Sequence, residues 1–225
     1  LLTLVLQREA GLAAPAARRK RRKGGAPPPR APRRLRPAVV INAFLLLALS
    51  VMMAAVMRAF ADNTLLARRG FYGVLRVWEI NPERADLRAY QLTHGRTVHG
   101  FQFESPERRS LATTYYAPSS GVGLALLNHP ARPGSLRAGG LGLGVGVIAA
   151  YAQPGDSFRF YEINPEMIAV AEGQGGYFSF LSDSAGQTTV VEGDARVSLE
   201  REWEQQGGQG FDLLVLDAFS GDAVP

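Results

Sequence analysis

A 20-residue stretch without a charge, Ala38 to Met57 (AVVINAFLLLALSVMMAAVM), most constrains what this chain can fold into. A helix of this length spans about 30 Å, which matches the hydrocarbon core of a bilayer. We therefore predict a transmembrane helix over residues 38–58, and a buried helix of a soluble protein is the alternative. A signal peptide fits less well, because the stretch begins at residue 38 and lacks an obvious small-residue cleavage site.

The basic residues are concentrated before this stretch. Leu1 to Arg36 contains 11 Lys and Arg side chains and one acid, Glu9, so it carries +10 while the rest of the chain carries −5. Gly, Ala and Pro follow the basic run at 18–23, and we predict a basic disordered segment over residues 1–37. It is typical of a juxtamembrane loop on the cytoplasmic side. Nucleic-acid binding is the weaker alternative, because no aromatic residues interleave with the basic ones.

The absence of cysteine excludes several kinds of site. Disulfides, zinc–thiolate sites, iron–sulfur clusters and a cysteine nucleophile all require it, and with three histidines in the chain we expect no metal centre. Hydrophobic residues at 46% suffice for a core. Because the chain starts with Leu1 and stops at Pro225 after a predicted strand and turn, we interpret it as an internal fragment whose last domain is incomplete.

Short predicted strands follow the apolar stretch. After a connector over residues 59–69, the alternating run at 71–80 predicts a strand, and residues 87–93 and 97–103 predict two more. Asn-Pro and His-Gly-Arg separate these strands as turn signals. We therefore expect a small antiparallel β-domain over residues 70–118.

From residue 119 onward, strands alternate with helices. Ser119 and Ser120 are candidate N-caps for the first helix. The later predicted elements are an apolar strand from Leu136, a glycine-rich loop at 140–146, a helical stretch at 147–152, a strand at 158–163, a helix from Pro165, a strand at 188–192, a helix around 197–203 and a strand at 211–217. This alternation is typical of βαβ units, so we predict the α/β class with a parallel sheet over residues 119–225.

Glycines or carboxylates lie at or just after the ends of the four predicted parallel strands. In chain order they are Gly142, Gly144 and Gly146, then Glu162, Asp194 and Asp217. Ligands of such sheets bind beyond the carboxyl ends of the strands, where glycine lets the backbone approach them closely. An acid at the end of the second strand can accept both hydroxyls of a ribose. The pattern predicts a nucleoside-bearing cofactor, and NAD is one option.

Several stretches of the second half stand out together: GLGVG (142–146), FYEINP (160–165), GDAR (193–196) and FDLLVLDAFSGDAVP (211–225). They are preceded by YGVLRV (72–77), LTHGRTVHG (92–100) and TTYY (113–116). These stretches resemble the class I S-adenosylmethionine-dependent fold and, within it, the spermidine synthase (polyamine aminopropyltransferase) family. The resemblance covers Phe71 to the end and is strongest to the membrane-fused spermidine synthase-like proteins. It implies a truncated Rossmann-like S-adenosylmethionine-binding sheet, preceded by a small β-domain and one transmembrane helix.

The same resemblance implies a role for each candidate residue. On the donor side, the three glycines shape the loop under the amino-acid or propylamine end of the donor, Glu162 holds the ribose, and Asp194 with Ala195 lies by the adenine. On the acceptor side, Asp217 orients and deprotonates the attacking amine, and the substrate side of the pocket includes Tyr116, His94 and Asp222. The implied reaction moves an aminopropyl group from decarboxylated S-adenosylmethionine to a small amine or polyamine.

Two departures from the family leave other functions open. Val145 stands where the family carries an Asp, and Ser220 stands where it carries a second acid, with Asp222 two residues later. Methyl transfer from ordinary S-adenosylmethionine is therefore an alternative, as is a noncatalytic membrane-tethered cofactor-binding module. We expect residues 38–57 in a bacterial inner membrane and no nucleic-acid partner. The side on which the catalytic domain lies, and a homodimer, are left open.

Overall fold

The computed structural model describes residues 37–217, which form helices, one antiparallel sheet and one parallel sheet. The predictions for the basic segment before residue 37, and for Ser220 and Asp222, lie outside these residues. Two units divide between Leu49 and Ser50, and both sheets belong to the second unit. The described chain is thus a mixed α/β structure.

Helix α1 runs from Pro37 to Asp62 and contains the apolar stretch. From Pro37 to Arg58 it is long and apolar enough to cross a membrane, and none of its most apolar part is buried within the described structure. Its large hydrophobic side chains are exposed, Phe44 by 69% and Met57 by 66%. The predicted span of residues 38–58 therefore lies within a single helix.

The antiparallel sheet has the order β1-β2-β3-β4. Its strands are β1 (Thr64–Gly70), β2 (Gly73–Ile80), β3 (Ala89–His94) and β4 (Thr97–Phe103). Three of them match the predicted strands, but the prediction of a connector at 59–69 was wrong, because β1 occupies most of it. The sequence TLLARRG lacks the alternation of apolar and polar residues that predicts a strand. It forms β1 because it pairs antiparallel with β2 from Thr64 to Gly70.

The second half of the described chain builds the parallel sheet. In chain order it contains α2 (Gly121–Leu127), β5 (Arg137–Leu141), a 3₁₀ helix (Val147–Tyr151), β6 (Ser157–Glu162), α3 (Pro165–Ala171), β7 (Gln187–Glu192), α4 (Ala195–Gln206) and β8 (Leu213–Leu216). The four strands are parallel in the order β7-β6-β5-β8. The alternation of strands and helices predicted from the sequence is confirmed. Strands β6 and β7 are added on one side of β5 and β8 on the other, so the strand order reverses between β5 and β8.

Local signals explain where these helices begin. The Ser120 hydroxyl accepts a hydrogen bond from the Gly123 N–H at 3.0 Å and so caps α2. The Asn164 side chain caps α3 in the same way, and Pro165 takes the first helical position, where its missing N–H costs nothing. Both helices therefore start at the positions that their sequences predict.

Strand β6 forms the centre of the core. Phe158, Phe160 and Tyr161 are each 1% exposed, as expected for a parallel strand covered on both faces. Neighbouring β5 carries glycine because these rings leave no room for more: a Cβ on Gly140 would lie 2.8 Å from the Phe160 ring. The tightly packed pair β5–β6 thus fixes the position of the loop that follows β5.

Polar contacts join the two sheets of this unit. Arg68 of β1 pairs with Glu166 of α3 at 2.6 Å. Gln102 of β4 donates to the Ser179 hydroxyl at 3.1 Å and accepts the Ser179 N–H at 2.7 Å. These contacts tie β1 and β4 of the antiparallel sheet to the segment that connects β6 with β7 of the parallel sheet.

Candidate active site

The candidate residues that follow the parallel strands lie at one edge of the sheet. The glycine loop follows β5, Glu162 ends β6, Asp194 follows β7 and Asp217 follows β8. The Asp217 N–H donates to the Leu141 carbonyl at 2.9 Å, which holds Asp217 beside the start of the glycine loop. Asp217 and this loop therefore flank the place where the strand order reverses, and ligands of such sheets bind in the crevice there.

The glycine loop passes directly under β4. Gly142, Gly144 and Gly146 all have positive φ, at +98°, +56° and +83°. A Cβ on Gly144 would lie 2.7 Å from the His99 carbonyl oxygen, so this position requires glycine for close approach as well as for conformation. Val145 is fully buried and points at Gly100, where a Cβ would lie 2.5 Å from its methyl group.

Glu162 is held by backbone hydrogen bonds at the end of β6. Its two carboxylate oxygens accept the N–H groups of Leu143 at 3.1 Å and Asn164 at 2.9 Å. A carboxylate has about four lone-pair sites, so each oxygen keeps one for a ligand hydroxyl. Glu162 thus fixes the glycine loop and retains the capacity to accept two hydroxyls.

Asp194 has an evident structural role. It is exposed and caps α4 through a hydrogen bond from the Val197 N–H to Oδ1 at 2.9 Å, and Ala195 is the first residue of that helix. The place that the resemblance assigns to the adenine is therefore a capped helix N-terminus. The roles of Asp194 and Ala195 toward a donor stay predictions.

Two consecutive tyrosines contact Asp217. The Tyr115 hydroxyl donates to Oδ2 at 3.1 Å, and the Tyr116 hydroxyl donates to the same oxygen. Thr114 adopts a positive φ of +57°, which is rare for a β-branched residue and turns the chain immediately before this pair. The structure therefore brings Tyr116 and Asp217 together, while their roles toward a substrate stay predictions.

Both tyrosines remain hydrogen-bond donors at neutral pH. Burial and the Asp217 carboxylate raise the pKa of both hydroxyls far above the usual value. Tyr115 is 48% exposed and Tyr116 is 6% exposed, so Tyr115 is the one that a ligand can reach. Tyr116 is buried and holds the Asp217 carboxylate through its hydrogen bond to Oδ2.

A pocket of about 230 Å³ opens at this point, lined by Thr97, His99, Tyr115 and Asp217. Thr97 and His99 both belong to β4, and the pairing of β4 with β3 skips His99, because Thr93 pairs with Val98 while Leu92 pairs with Gly100. Burial, together with nearby His94, lowers the pKa of His99, although Asp217 acts in the opposite direction. Asp217 thus lies in a cavity with a neutral imidazole and a phenol.

His94 lies behind this pocket wall. Its ring centroid is 5.9 Å from that of His99, and its Nε2 is hydrogen-bonded to the Tyr72 carbonyl. A carbonyl only accepts, so Nε2 of His94 is the donor in this contact. A direct role of His94 toward substrate stays a prediction, while the pocket lining at this point is His99.

Sequence reasoning missed Thr97, His99 and Tyr115. One signal was present, because Tyr115 is the neighbour of a selected tyrosine. The place of His99 follows from an irregularity in the pairing of β3 with β4, which regular alternation does not predict. What the sequence did not show is which face of β4 meets Asp217. Among residues 37–217, no group of three His, Asp or Glu side chains is arranged to hold a metal ion.

Comparison with known proteins gives one line of evidence. The chain is 31% identical to a polyamine aminopropyltransferase of Vibrio vulnificus (strain CMCP6) over 147 residues. The aligned part is 64% of this chain and 45% of that protein, so the chain matches less than half of the relative's length. No family model matches the chain. The alignment supports a spermidine synthase-like relationship.

Proposed function

We propose that this protein is a spermidine synthase-like transferase that moves an aminopropyl group from decarboxylated S-adenosylmethionine to an amine. The observation that carries the proposal is the Asp217 carboxylate, which two tyrosine hydroxyls hold beside a glycine loop at the carboxyl edge of the sheet. The aminopropyltransferase relative supports the same reaction class.

The carboxyl edge fits a nucleoside-bearing donor. The sheet order β7-β6-β5-β8 is third-second-first-fourth in chain order, which is also the beginning of the Rossmann-type order. The positive-φ glycines keep Cβ atoms out of the space over β5, and Glu162 keeps lone pairs for two hydroxyls. We infer that the donor lies over the glycine loop with its ribose at Glu162.

The chemistry requires an unprotonated amine. A sulfonium donor is attacked at the carbon next to sulfur: a new C–N bond forms, the C–S bond breaks and its electron pair returns to sulfur. The attacking nitrogen needs a lone pair, so its extra proton must leave before or during attack. Asp217 is placed to accept that proton, and the Tyr115 and Tyr116 hydroxyls keep its Oδ2 in position.

We also propose that residues 38–57 anchor the protein in a membrane. The exposed apolar surface of α1 and its length support this, and the neighbouring basic segment is typical of membrane-flanking loops. Alkaline carbonate extraction of cell membranes tests the proposal. We expect the full-length protein to stay in the pellet and a variant lacking residues 38–57 to become soluble; release of the intact protein would contradict it.

Methyl transfer from ordinary S-adenosylmethionine is the second candidate. Val145, in the glycine loop, is apolar and fully buried, so it offers no carboxylate to an amine on the donor. A preference for the decarboxylated donor therefore lacks the contact that the family's Asp would supply at this position. Ordinary S-adenosylmethionine, which carries a carboxylate as well as an amine, is the competing donor.

Donor calorimetry and turnover of the full-length protein test the proposal together. We expect the decarboxylated donor to bind more tightly than the ordinary one. We expect Asp217→Asn to keep donor binding but lower amine transfer by about 10²- to 10⁴-fold, the usual size of general-base effects. Asp212→Asn is the matched control, because Asp212 lies just before the same strand and accepts the Arg137 N–H at the opposite edge.

The possible outcomes separate the candidates. Tighter binding of the ordinary donor, with transfer of a methyl group, would replace the first candidate by the second. Full turnover in Asp217→Asn would remove Asp217 as the proton acceptor. Donor binding without any product would favour a noncatalytic module.

A further inference from the structure

A ring nitrogen of His99 lacks a partner in the candidate active site. Nε2 of His99 is buried and makes no hydrogen bond to any residue that the structure describes. Nearly all buried polar atoms in native proteins are hydrogen-bonded, and leaving one unpaired is unfavourable. Since His99 also lines the pocket that contains Asp217, a ligand in that pocket is the natural partner.

His99 is suited to accept a hydrogen bond. Two titratable groups act on its ring from neighbouring elements, His94 from β3 and Asp217 from the end of β8. Burial and His94 lower the pKa of His99 in spite of Asp217, so the imidazole is neutral at physiological pH. A neutral imidazole has one donor nitrogen and one acceptor nitrogen.

Asp217 provides a second acceptor in the same cavity. Both tyrosine hydroxyls donate to Oδ2, and among the described residues no hydrogen bond reaches Oδ1. A ligand donor can therefore approach Oδ1. The pocket thus offers a carboxylate oxygen and a neutral imidazole to one small polar group.

An amine ready for attack matches this pair. A neutral primary amine carries two N–H bonds and one lone pair, and two acceptors that take the two N–H bonds leave the lone pair directed elsewhere. A secondary amine has one N–H bond and leaves one acceptor unpaired. The two acceptors therefore orient a primary amine better than a secondary one.

We propose that His99 binds the acceptor amine directly, together with Asp217, and that this pair gives the pocket a preference for primary over N-methylated amines. The inference rests on the proposed function, since it names a further substrate-binding residue of the same site. Thr97 and Tyr115 complete the wall without adding a charge.

The test compares His99→Leu and His99→Gln in the full-length protein. Leu fills the space without a polar atom, and Gln restores an acceptor oxygen that does not titrate in this range. His129→Gln is the matched control, because His129 lies in the loop after α2, where its Nδ1 accepts the Ala131 N–H. The probes are diaminobutane and its N,N′-dimethyl derivative, with transfer and calorimetric amine binding both measured.

We expect His99→Leu to lower kcat/KM for diaminobutane about tenfold, which corresponds to about 1.4 kcal/mol. The preference for diaminobutane over the dimethyl derivative should fall toward one, and donor affinity should stay at the wild-type value. His99→Gln should recover part of the activity and of the preference. A merely structural role would lower activity toward both amines alike and would not change the preference.

The outcomes distinguish this inference from the proposed function. An unchanged amine preference in an active His99→Leu protein overturns the inference while leaving aminopropyl transfer intact. Absence of transfer by the wild type overturns the proposed function. In that case amine binding decides: equal binding of diaminobutane by the wild type and His99→Leu overturns the inference, and weaker binding by the variant supports it.

Discussion

Two aspartates lie at opposite edges of the parallel sheet and have very different surroundings. Asp156 lies just before β6, and its side chain is fully buried. Its carboxylate accepts hydrogen bonds from both terminal nitrogens of Arg132, at 2.9 and 2.8 Å. It also accepts hydrogen bonds from the backbone N–H groups of Leu136 at 2.8 Å and Gln153 at 2.7 Å. Asp217, after β8, accepts two hydroxyls on one oxygen and lines a pocket.

The difference separates a structural carboxylate from a reactive one. Four hydrogen bonds use the capacity of Asp156, and its charge is neutralised by a guanidinium. Asp217 has only neutral donors among the described residues and keeps an oxygen for a ligand. A carboxylate whose hydrogen-bonding capacity is filled stabilises the fold, whereas one with spare capacity in a cavity can take part in chemistry.

The largest expected effect is on the structural member of this pair. Asp156→Asn leaves the nearly buried Arg132 charge unpaired, and we expect a loss of about 3–5 kcal/mol in the free energy of unfolding. Urea unfolding measures it. Asp86→Asn is the control, because its pair with Arg84 is exposed and its loss should have little effect. Equal effects of the two variants would show that Asp156 contributes no more than a surface pair.

The same variant predicts a pH dependence. Burial alone would raise the pKa of Asp156, but Arg132 and the two backbone N–H groups outweigh it and lower the pKa. A lowered pKa contributes stability above the unfolded value of about 3.9, and that contribution disappears as the pH falls through the folded pKa. The difference in the free energy of unfolding between the wild type and Asp156→Asn should therefore become smaller only at acidic pH. Asp217→Asn, by contrast, should reduce turnover without a comparable loss of stability.

A smaller effect is expected where β4 meets the glycine loop. Gly100 has a φ of +131°, and a Cβ there would lie 2.5 Å from Val145 and 3.1 Å from Val147. Gly100→Ala should therefore destabilise the protein by about 1–3 kcal/mol through overpacking and backbone strain. It should also weaken amine transfer more than donor binding, since it displaces the strand that carries His99.

Gly121→Ala provides the control for this variant. A Cβ on Gly121 meets no atom within 4 Å at the start of α2, so its stability and transfer activity should stay near wild type. Urea unfolding and amine-transfer assays measure both effects. If Gly100→Ala behaves like Gly121→Ala, the packing of β4 against the loop does not position the acceptor wall.

The smallest effect concerns Asp194, whose cap on α4 gives it a structural role beside its predicted one. Asp194→Ala removes the cap and should cost about 1 kcal/mol in the free energy of unfolding. Asp194→Asn keeps a capping oxygen and should unfold like the wild type. Calorimetry of Asp194→Asn then measures the effect of the carboxylate on donor affinity without a loss of stability. An unchanged donor affinity would show that Asp194 only caps the helix.

The carboxyl edge of the parallel sheet was predictable from local patterns. Parallel strands place their ends at one edge, so residues that follow successive strands meet there whatever lies between them. This placed the glycine loop, Glu162, Asp194 and Asp217 together, and the charge-free run similarly indicated α1. Periodicity and composition act within a few turns of chain, so these features depend little on distant contacts.

Only the tertiary structure determined the opposite wall of the pocket. His99 and Tyr115 lie more than 100 residues before Asp217, and their proximity depends on how β4 packs over the glycine loop. The same holds for β1, whose polar sequence becomes a strand through pairing with β2. The sequence by itself thus determined which groups end the parallel strands, while side-chain packing between the two sheets decided which groups face them.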